Sequence, residues 1–577
     1  MFRFIKRVFK AYDTKDIVLS GFSVIVFLLM ILKMIVFPYG MFGFGESNIY
    51  TEAMISRNGF QSLNPLFVDY NESDREASRL IFSGLMKYDP QKRAIVDDMA
   101  SLVISADKLE YNLTLKDNIK WHDGKLLTTE DVYFTYHDLI MNPSFSNQIL
   151  KANFNGVKIE ILDTKTVKFI LEKPNSFFIS NLIIGILPKH KLLSVDPYNL
   201  LIDDFNKKPV GSGPFMVKEP IEMFNDGHMQ VTLYKNPDYY AEQSEVEVIR
   251  LISYLSMDDL LQNINSINSV VKISGAFVDG FKNNTRFEVI DYELPQYTAV
   301  FMNMESEYLK SKNVRLALQK SVDKNELLSE FVDKKPVDTP LMELDQSAWV
   351  YQSNKEEANG LLKESGFLYA ESDTEKTGFR FNSDSKALEL RLIARLYNSG
   401  TSQYEDMQKV INYLNESFEE IGVDLVVEFL FDDEFEERIT RRDYDLLLIG
   451  QSMGYNLDTY AFWHSSQASP SGLNFSNYKS FAVDSLIADI RSSFDSERRQ
   501  NKLTELAKQI SEDVPAIFLY RPVYFYAYDK KISGISLDSV VFASDRYSNM
   551  VNWEFSKGFQ LYFVCLFMYL FISKNYS

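Results

Sequence analysis

The sequence has little cysteine and little histidine, and both shortages exclude kinds of chemistry. Its 577 residues include one cysteine, Cys565, so no disulfide can form within the chain. None of the five histidines lies four residues from another, as the ligands of a helical zinc motif do. No G-x-S-x-G nucleophile motif occurs either. We expect no metal site, no cofactor and no catalytic residue, although two carboxylates of a cleft hydrolase can come from anywhere in a chain.

Positive charge is scarce relative to negative charge. The net charge of -19 argues against a nucleic-acid partner, whose phosphates would be repelled. It is compatible with a cationic or zwitterionic ligand, and also with acidity that only keeps the protein soluble. The hydrophobic share of 46% is typical of a folded protein. A chain of 577 residues is too long for one core and predicts two or three lobes.

The N-terminal region predicts a membrane anchor. Residues 1–16 form a basic tail, and residues 17–37 are an apolar run long enough to cross a bilayer, which takes ~20 residues. The basic flank predicts a cytoplasmic N-terminus with the main body outside. Neither an A-x-A cleavage site nor a cysteine follows, so we expect an uncleaved single-pass signal-anchor in the cell membrane. Residues 38–60 then form a linker.

The C-terminal tail, residues 555–577, is also apolar. Its run at 559–572 is shorter than the ~20 residues of a membrane helix. A marginal second span, an interfacial segment and a sequence irregularity all remain open.

One stretch, Leu115 to Asp138, predicts a strand, a turn and a helix in succession. Apolar and polar residues alternate first, and Asp123-Gly124 is typical of a turn. Thr128 is the expected helix N-cap, with Asp131 answering it three residues later. The apolar face of the helix is predicted at Val132, Tyr136 and Leu139.

The same stretch carries a family resemblance. The string KWHDGKLLTTEDVYF is similar to the signature of the family 5 extracellular solute-binding proteins, the dipeptide and oligopeptide receptors of ABC importers. PVGSGPFMV, at 209–217, resembles another string of that family. The resemblance extends over about residues 60–553, and further matching strings occur in the same order at Leu63–Asp89, Phe177–His190, Asn236–Tyr240 and Asn354–Phe367.

The resemblance implies an α/β fold: a two-lobed, periplasmic-binding-protein-like clamshell of class II (cluster C) behind the transmembrane helix. Lobe I is expected at 61–295 and again at 516–554, and lobe II at 296–515. Asp484 to Asp513, in lobe II, is predicted as helix. Ala516 to Tyr528 is predicted as the strand that returns to lobe I.

The implied function is capture of a ligand by hinge closure of the two lobes. The expected partners are a peptide or other small ligand and the permease and ATPase subunits of an ABC importer, with the protein itself a monomer. The same fold binding a metal chelate, an oligosaccharide or a signalling peptide is the alternative, followed by an enzyme that uses the cleft.

The ligand site is expected around the buried strand 444–450 and the loop 451–463 after it. Peptide-binding relatives place an Asp soon after this strand to hold the peptide's ammonium group, whereas Gly454 stands at the matching position here. Asp458 is the nearest replacement, and an ordinary role at a helix N-terminus is equally open. The residues expected to bind the ligand are Phe67, Asp69, Gln451, Ser452, Gly454, Tyr455, Asp458 and Trp463.

Overall fold

A computed structural model describes residues 49–556, apart from residues 376, 400 and 456. The predicted basic tail, signal-anchor and apolar run at 559–572 lie outside the described residues and stay predictions. Within the described part of the chain, no helix is both long and apolar enough to cross a membrane. Tyr50–Glu554 fold as one unit. We keep the predicted bounds of lobes I and II as labels within it, with one correction. Ile49–Ile55, inside the predicted linker 38–60, is a largely buried strand that pairs with Ser269 and Val270, so it is counted with lobe I.

The chain before Pro295 supplies the first strands and helices of lobe I. The strands are β1 (Ile49–Ile55), β2 (Met86–Asp89), β3 (Ala94–Asp97), β4 (Ala100–Ile104), β5 (Glu110–Leu115), β6 (Lys158–Ile161), β7 (Thr166–Ile170), β8 (Phe215–Val217), β9 (Glu222–Met223), β10 (Met229–Lys235), β11 (Val248–Tyr254), β12 (Ser269–Ile273) and β13 (Phe287–Glu293). The α-helices are α1 (Glu72–Ile81), α2 (Thr129–Tyr133), α3 (Gln148–Ala152), α4 (Lys189–Leu192), α5 (Met257–Gln262) and α6 (Gly275–Lys282). A π-helix spans Phe134–Ile140, and short 3₁₀ helices span Phe178–Ile183, Pro197–Ile202, Asp204–Lys207 and Ile264–Ser266.

Lobe II follows without interruption. Its strands are β14 (Gln296–Met302), β15 (Lys334–Pro336), β16 (Leu368–Tyr369), β17 (Arg380–Phe381), β18 (Glu389–Arg395), β19 (Asp424–Leu430) and β20 (Leu446–Ser452). Its α-helices are α7 (Lys312–Ser321), α8 (Lys324–Leu328), α9 (Lys355–Glu364), α10 (Ser402–Glu419), α11 (Asp432–Arg441), α12 (Tyr460–Trp463), α13 (Phe481–Ser492) and α14 (Ser496–Asp513), with 3₁₀ turns at Gln346–Trp349 and Ser465–Gln467. The chain ends with β21 (Ala516–Asp529), β22 (Ile532–Ser533), a 3₁₀ helix (Ala543–Asn552) and β23 (Glu554–Phe555).

Local sequence signals explain where the helices begin. Asn71 caps α1 by accepting the N–H of Ser73 at 3.2 Å. The N–H of Thr128 donates to Asp131 Oδ2 at 3.0 Å, which confirms the predicted cap of α2. The predicted single helix 484–513 is instead two helices, α13 and α14. Asp495 breaks it because its side chain caps α14 by accepting the N–H of Arg498.

Strand β21 is the longest connection between the two lobes. Along its 14 residues it pairs with β14 and β15 of lobe II, and then with β12 and β13 of lobe I. One continuous sheet results, in the order β19-β18-β20-β14-β21-β12-β1-β11-β10-β8. Motion between the lobes must therefore bend this sheet at β21 and at the turn between β13 and β14.

The cores lie on the faces of this sheet. One apolar cluster of lobe II includes Leu318, Leu392 and Leu414. A second includes Phe301, Trp463 and Phe518 and also receives Phe177, which the first part of the chain supplies. A cluster in lobe I lies beneath β11, β12 and β21.

Candidate functional site

The motif that carries the family resemblance is a structural corner. His122 Nδ1 accepts the N–H of Gly211 at 3.1 Å, and its protonated Nε2 donates to the carbonyl oxygen of Gly213, also at 3.1 Å. Burial lowers the pKa of His122 to about 4, so the ring is neutral at neutral pH. Both ring nitrogens are committed to backbone groups. The KWHDG string therefore fixes the glycine loop at 209–217.

That glycine loop in turn closes the C-terminal end of α1. The N–H of Gly213 donates to the carbonyl oxygen of Ile81 at 2.8 Å, and a Cβ at Gly211 would overlap the same oxygen. Only glycine allows this approach. The two recognisable motifs thus hold α1 in place. The N-terminal half of α1 carries Glu72 and Glu76, and Glu72 contacts Lys272 of β12.

The predicted strand 444–450 begins and ends two residues later, as β20. Gln451 and Ser452 belong to it because they pair with Tyr297 and Gln296 of β14. The Tyr297 hydroxyl donates to Gln451 Oε1 at 2.5 Å, and Gln451 Nε2 donates to the Leu473 carbonyl oxygen at 3.1 Å. Gln451 is buried in these contacts, whereas Ser452 is exposed.

The loop after β20 reaches lobe I. Gly454 has a φ of +70°, and a Cβ there would have nothing within 4 Å. The Tyr455 hydroxyl donates to Asp545 Oδ1 at 2.8 Å. Its ring lies 5.3 Å from that of Tyr88 and 5.0 Å from that of Phe542, between centroids. Tyr455 is therefore a lobe II residue whose contacts lie in lobe I.

Asp458 has partners within lobe II. Its Oδ2 lies 3.2 Å from Nε of Arg491, and its Oδ1 accepts the N–H of Tyr460 at 3.0 Å. Burial raises the pKa of Asp458, and Arg491 opposes that rise. The second contact is that of a residue at the N-terminus of α12. A role for Asp458 in holding a ligand ammonium stays a prediction.

Three other predicted ligand-binding residues have local contacts. Trp463 is 1% exposed and packs 5.9 Å from the Phe518 ring in the lobe II core. Phe67 is equally buried, with its ring 5.7 Å from that of Phe145. Asp69 is exposed and pairs with Arg75 at 2.8 Å. Their contacts with a ligand also stay predictions.

Sequence reasoning missed a group of charged residues on the hinge side of lobe I. Arg546 is fully buried and contacts both Glu52 and Glu76. Burial acts to raise the pKa of Glu52, but Arg546 holds it below its ordinary value, whereas burial raises the pKa of Glu76. One signal was available, because Glu52 interrupts the apolar pattern of β1. Nothing in the sequence marked Arg546 as its partner.

Next to this group, β13 and β21 present tyrosines to α1. Tyr292 pairs with Tyr524 across the two strands, with ring centroids 5.7 Å apart. Lys272 Nζ lies 4.5 Å from the centre of the Tyr524 ring and forms an ion pair with Glu72. The Gln296 side chain donates to the Tyr524 hydroxyl from the lobe II side. The term hinge cluster is used below for Glu52, Glu72, Glu76, Lys272, Tyr292, Tyr524 and Arg546.

The comparisons agree with this architecture. The family model described as bacterial extracellular solute-binding proteins, family 5 (middle), matches residues 94–472. This is more than half of the chain, which therefore belongs to that family. The sequence is 26% identical over 487 residues to the oligopeptide-binding protein AppA of Bacillus subtilis (strain 168), covering 80% of this chain and 85% of AppA.

Two solved structures share the two-lobed mixed α/β fold. The structure of AppA from Bacillus subtilis in complex with a nonapeptide has a TM-score of 0.72 at 23% identity, covering 89% of this chain and 100% of that chain. NikZ from Campylobacter jejuni in complex with Ni(L-His) has a TM-score of 0.73 at 25% identity, covering 88% of this chain and 100% of that chain. The predicted family is confirmed, and so is the two-lobed mixed α/β fold.

Proposed function

We propose that this protein captures peptides outside the cytoplasmic membrane by closing its two lobes, and that it delivers them to the permease of an ABC importer. Residues 17–37 anchor it, and it acts as a monomer without a catalytic step. Its fold is the class II (cluster C) clamshell, with lobe I at 61–295 and 516–554 and lobe II at 296–515. The similarity to the oligopeptide-binding protein AppA, over most of both chains, is the observation that carries the peptide assignment.

Contacts between the lobes support the closing motion. Lobe I places Phe177 in an apolar cluster of lobe II, and the neighbouring Ser176 N–H donates to the Arg491 carbonyl oxygen at 2.7 Å. In the opposite direction, lobe II places Tyr455 against Phe542 and Asp545. These contacts are additional to the strand pairs that β21 makes with both lobes. Opening about β21 would break them, and closing would restore them.

A non-peptide ligand is the second candidate, because NikZ has a similar fold and holds Ni(L-His). Within residues 49–556, outside the three undescribed positions, no group of three or more His, Cys, Asp or Glu side chains is arranged to hold a metal ion. A chelate held through its organic part would not need such a group.

Native mass spectrometry of the full-length protein, purified in detergent without denaturation, tests the proposal. We expect bound species that dissociate into a series of peptides. A bound nickel complex or oligosaccharide would instead favour the second candidate. Turnover of the bound species during incubation would contradict a role limited to binding.

A further inference from the structure

The question that the proposed function leaves is which carboxylate receives the ammonium group of a peptide. A buried ammonium without a carboxylate partner is costly, so a closed cleft must provide one. The loop 451–463 contains one acid, Asp458. It is already engaged by Arg491 and by the Tyr460 N–H. Gly454 has no side chain to offer. The carboxylate that the loop contains is therefore already used in other contacts.

Glu72 is better placed. It is the first residue of α1, its side chain is 43% exposed, and its Oε1 is bound to Lys272. Burial acts to raise the pKa of Glu72, but Lys272 lowers it below its ordinary value, so the carboxylate is ionised at neutral pH. The exposed part of the side chain can be reached by a ligand.

The backbone around Lys272 is strained in a way that fixes this geometry. Lys272 has a φ of +55°, where a residue with a Cβ is rarely found. The register between β12 and β21 shifts between Val270 and Ile273, so Lys272 lies at a bulge. Bulges re-aim side chains, and strained residues persist where the surroundings enforce them. Here the bulge holds Lys272 over Tyr524 and beside Glu72.

The hydroxyl of Tyr292 gives independent support for a ligand at this place. It is 4% exposed, and its hydroxyl has no hydrogen-bond partner among the residues that the structure describes. Buried hydroxyls are normally paired, and an unpaired one calls for an explanation. Its ring faces that of Tyr524, and the charges of Glu72 and Glu76 help to raise its pKa, after burial. The unpaired hydroxyl is available to accept a hydrogen bond from a ligand N–H.

The charge of the hinge cluster favours a cation. Three carboxylates (Glu52, Glu72 and Glu76) face two cations (Lys272 and Arg546), so carboxylates outnumber cations in the cluster. The nearby Arg75 does not change this balance, because it is paired with Asp69. A bound ammonium group would neutralise the cluster, and the Tyr524 ring face would add a cation–π contact.

We propose, on the basis of the proposed function, that the ammonium group of a peptide binds at Glu72 and donates a further hydrogen bond to the hydroxyl of Tyr292. The peptide then runs towards lobe II. Tyr524 is linked through Gln296 to the end of β20, where Gln296 pairs with the exposed Ser452. The amino end lies at the hinge, and the protein selects peptides with a free amino end.

A competition experiment on the full-length protein in detergent tests this site without any variant. The probe is a synthetic pool of lysine-free pentapeptides in which half of the molecules are N-acetylated. Bound peptides are released and compared by mass spectrometry. We expect free peptides to be enriched at least tenfold over their acetylated forms. Equal capture of both forms overturns the hinge site but leaves peptide binding intact. Capture of neither form overturns the proposed function itself.

Variants then locate the group. We expect Glu72→Gln to remove the preference for free amino ends, and Tyr292→Phe to reduce it about threefold. Glu357→Gln is the matched control. Glu357 also lies in the first turn of a helix, is 44% exposed and pairs with a lysine, Lys320, at 3.1 Å, but it lies in lobe II. It should behave as the unmodified protein.

Two readouts keep the variant test independent of folding. Glu72→Gln should capture acetylated peptides as the unmodified protein does, which shows that its cleft still forms. If Asp458→Asn removes the preference and Glu72→Gln retains it, the hinge site is wrong and the ammonium belongs to the loop 451–463.

Discussion

The loop 451–463 and the hinge cluster both bring charged side chains out of water, but they balance them differently. In the loop, Asp458 is matched with Arg491, and it also caps a helix. In the hinge cluster, two buried carboxylates share one guanidinium, and a third carboxylate is half exposed. In the first region, the one acid has a cation as its partner. In the second, carboxylates outnumber cations.

The difference separates two tasks that residues perform in this fold. Gly454 carries no side chain, and the neighbouring Tyr455 serves a contact between the lobes. The hinge cluster lies largely on strands of the sheet that both lobes share and on α1. If the proposed ammonium site is correct, these elements select the charge of the ligand, and the loop 451–463 does not.

The largest effect should come from removing the shared guanidinium. We expect Arg546→Met to cost ~3–5 kcal/mol of unfolding free energy, because Glu52 and Glu76 would remain buried without their cation. Arg491→Met is the comparison for lobe II. It should cost ~1 kcal/mol, since the Arg491 side chain is 29% exposed. Urea unfolding at pH 7 measures both, and equal costs would contradict the contrast between the two regions.

The stability of the protein should depend on pH through Glu343 in lobe II. Burial raises the pKa of Glu343 from 4.5 to about 7, and its Oε2 has no hydrogen-bond partner in the described part of the chain. The folded protein therefore keeps a proton that the unfolded chain releases, so Glu343 destabilises the fold as pH rises from about 4.5 to about 7. We expect Glu343→Gln to be more stable than the unmodified protein above pH 7, by up to about 3 kcal/mol.

The control for this effect is acidic pH. Near pH 4 the carboxyl is protonated in both states, so Glu343→Gln and the unmodified protein should unfold at the same urea concentration. A stability difference that stays constant from pH 4 to pH 8 would show that packing, and not the proton, is responsible.

The smallest effect concerns the contact between the lobes. Tyr455→Phe removes the hydrogen bond to Asp545 and keeps the ring contacts with Tyr88 and Phe542. We expect the closed state to lose ~1 kcal/mol, so that captured peptides dissociate about fivefold faster. Stopped-flow displacement measures this rate. The unfolding free energy of Tyr455→Phe should change little, and an unchanged dissociation rate would remove Tyr455 from the closure contacts.

Periodicity and turn chemistry predicted much of the fold. The corner at 115–138 forms with Val132, Tyr136 and Leu139 buried, but the predicted helix is α-helical only at Thr129–Tyr133 and continues as the π-helix Phe134–Ile140. The strand predicted at 516–528 is β21. These features depend on neighbours in sequence, so a single chain reveals them.

The candidate site was much harder to predict. Trp463 has the amphipathic surface of a binding residue, but its partners Phe301 and Phe518 come from distant strands and enclose it. The hinge cluster depends on Glu52 and Arg546, which are 494 positions apart. No local pattern encodes such a pairing, so only the folded chain reveals it.

That separation also governs how the protein is made. The first strand of lobe I carries Glu52, and the partners that neutralise and cover it, Tyr526 and Arg546, are translated only after the whole of lobe II. Contacts of such high sequence separation form slowly, because the intervening chain must be ordered first. Lobe II also needs β21, because Phe518 belongs to one of its apolar clusters. Both lobes therefore stay incomplete until β21 has been made, and lobe I waits with its buried acids uncompensated, which makes the newly made protein dependent on protection from aggregation.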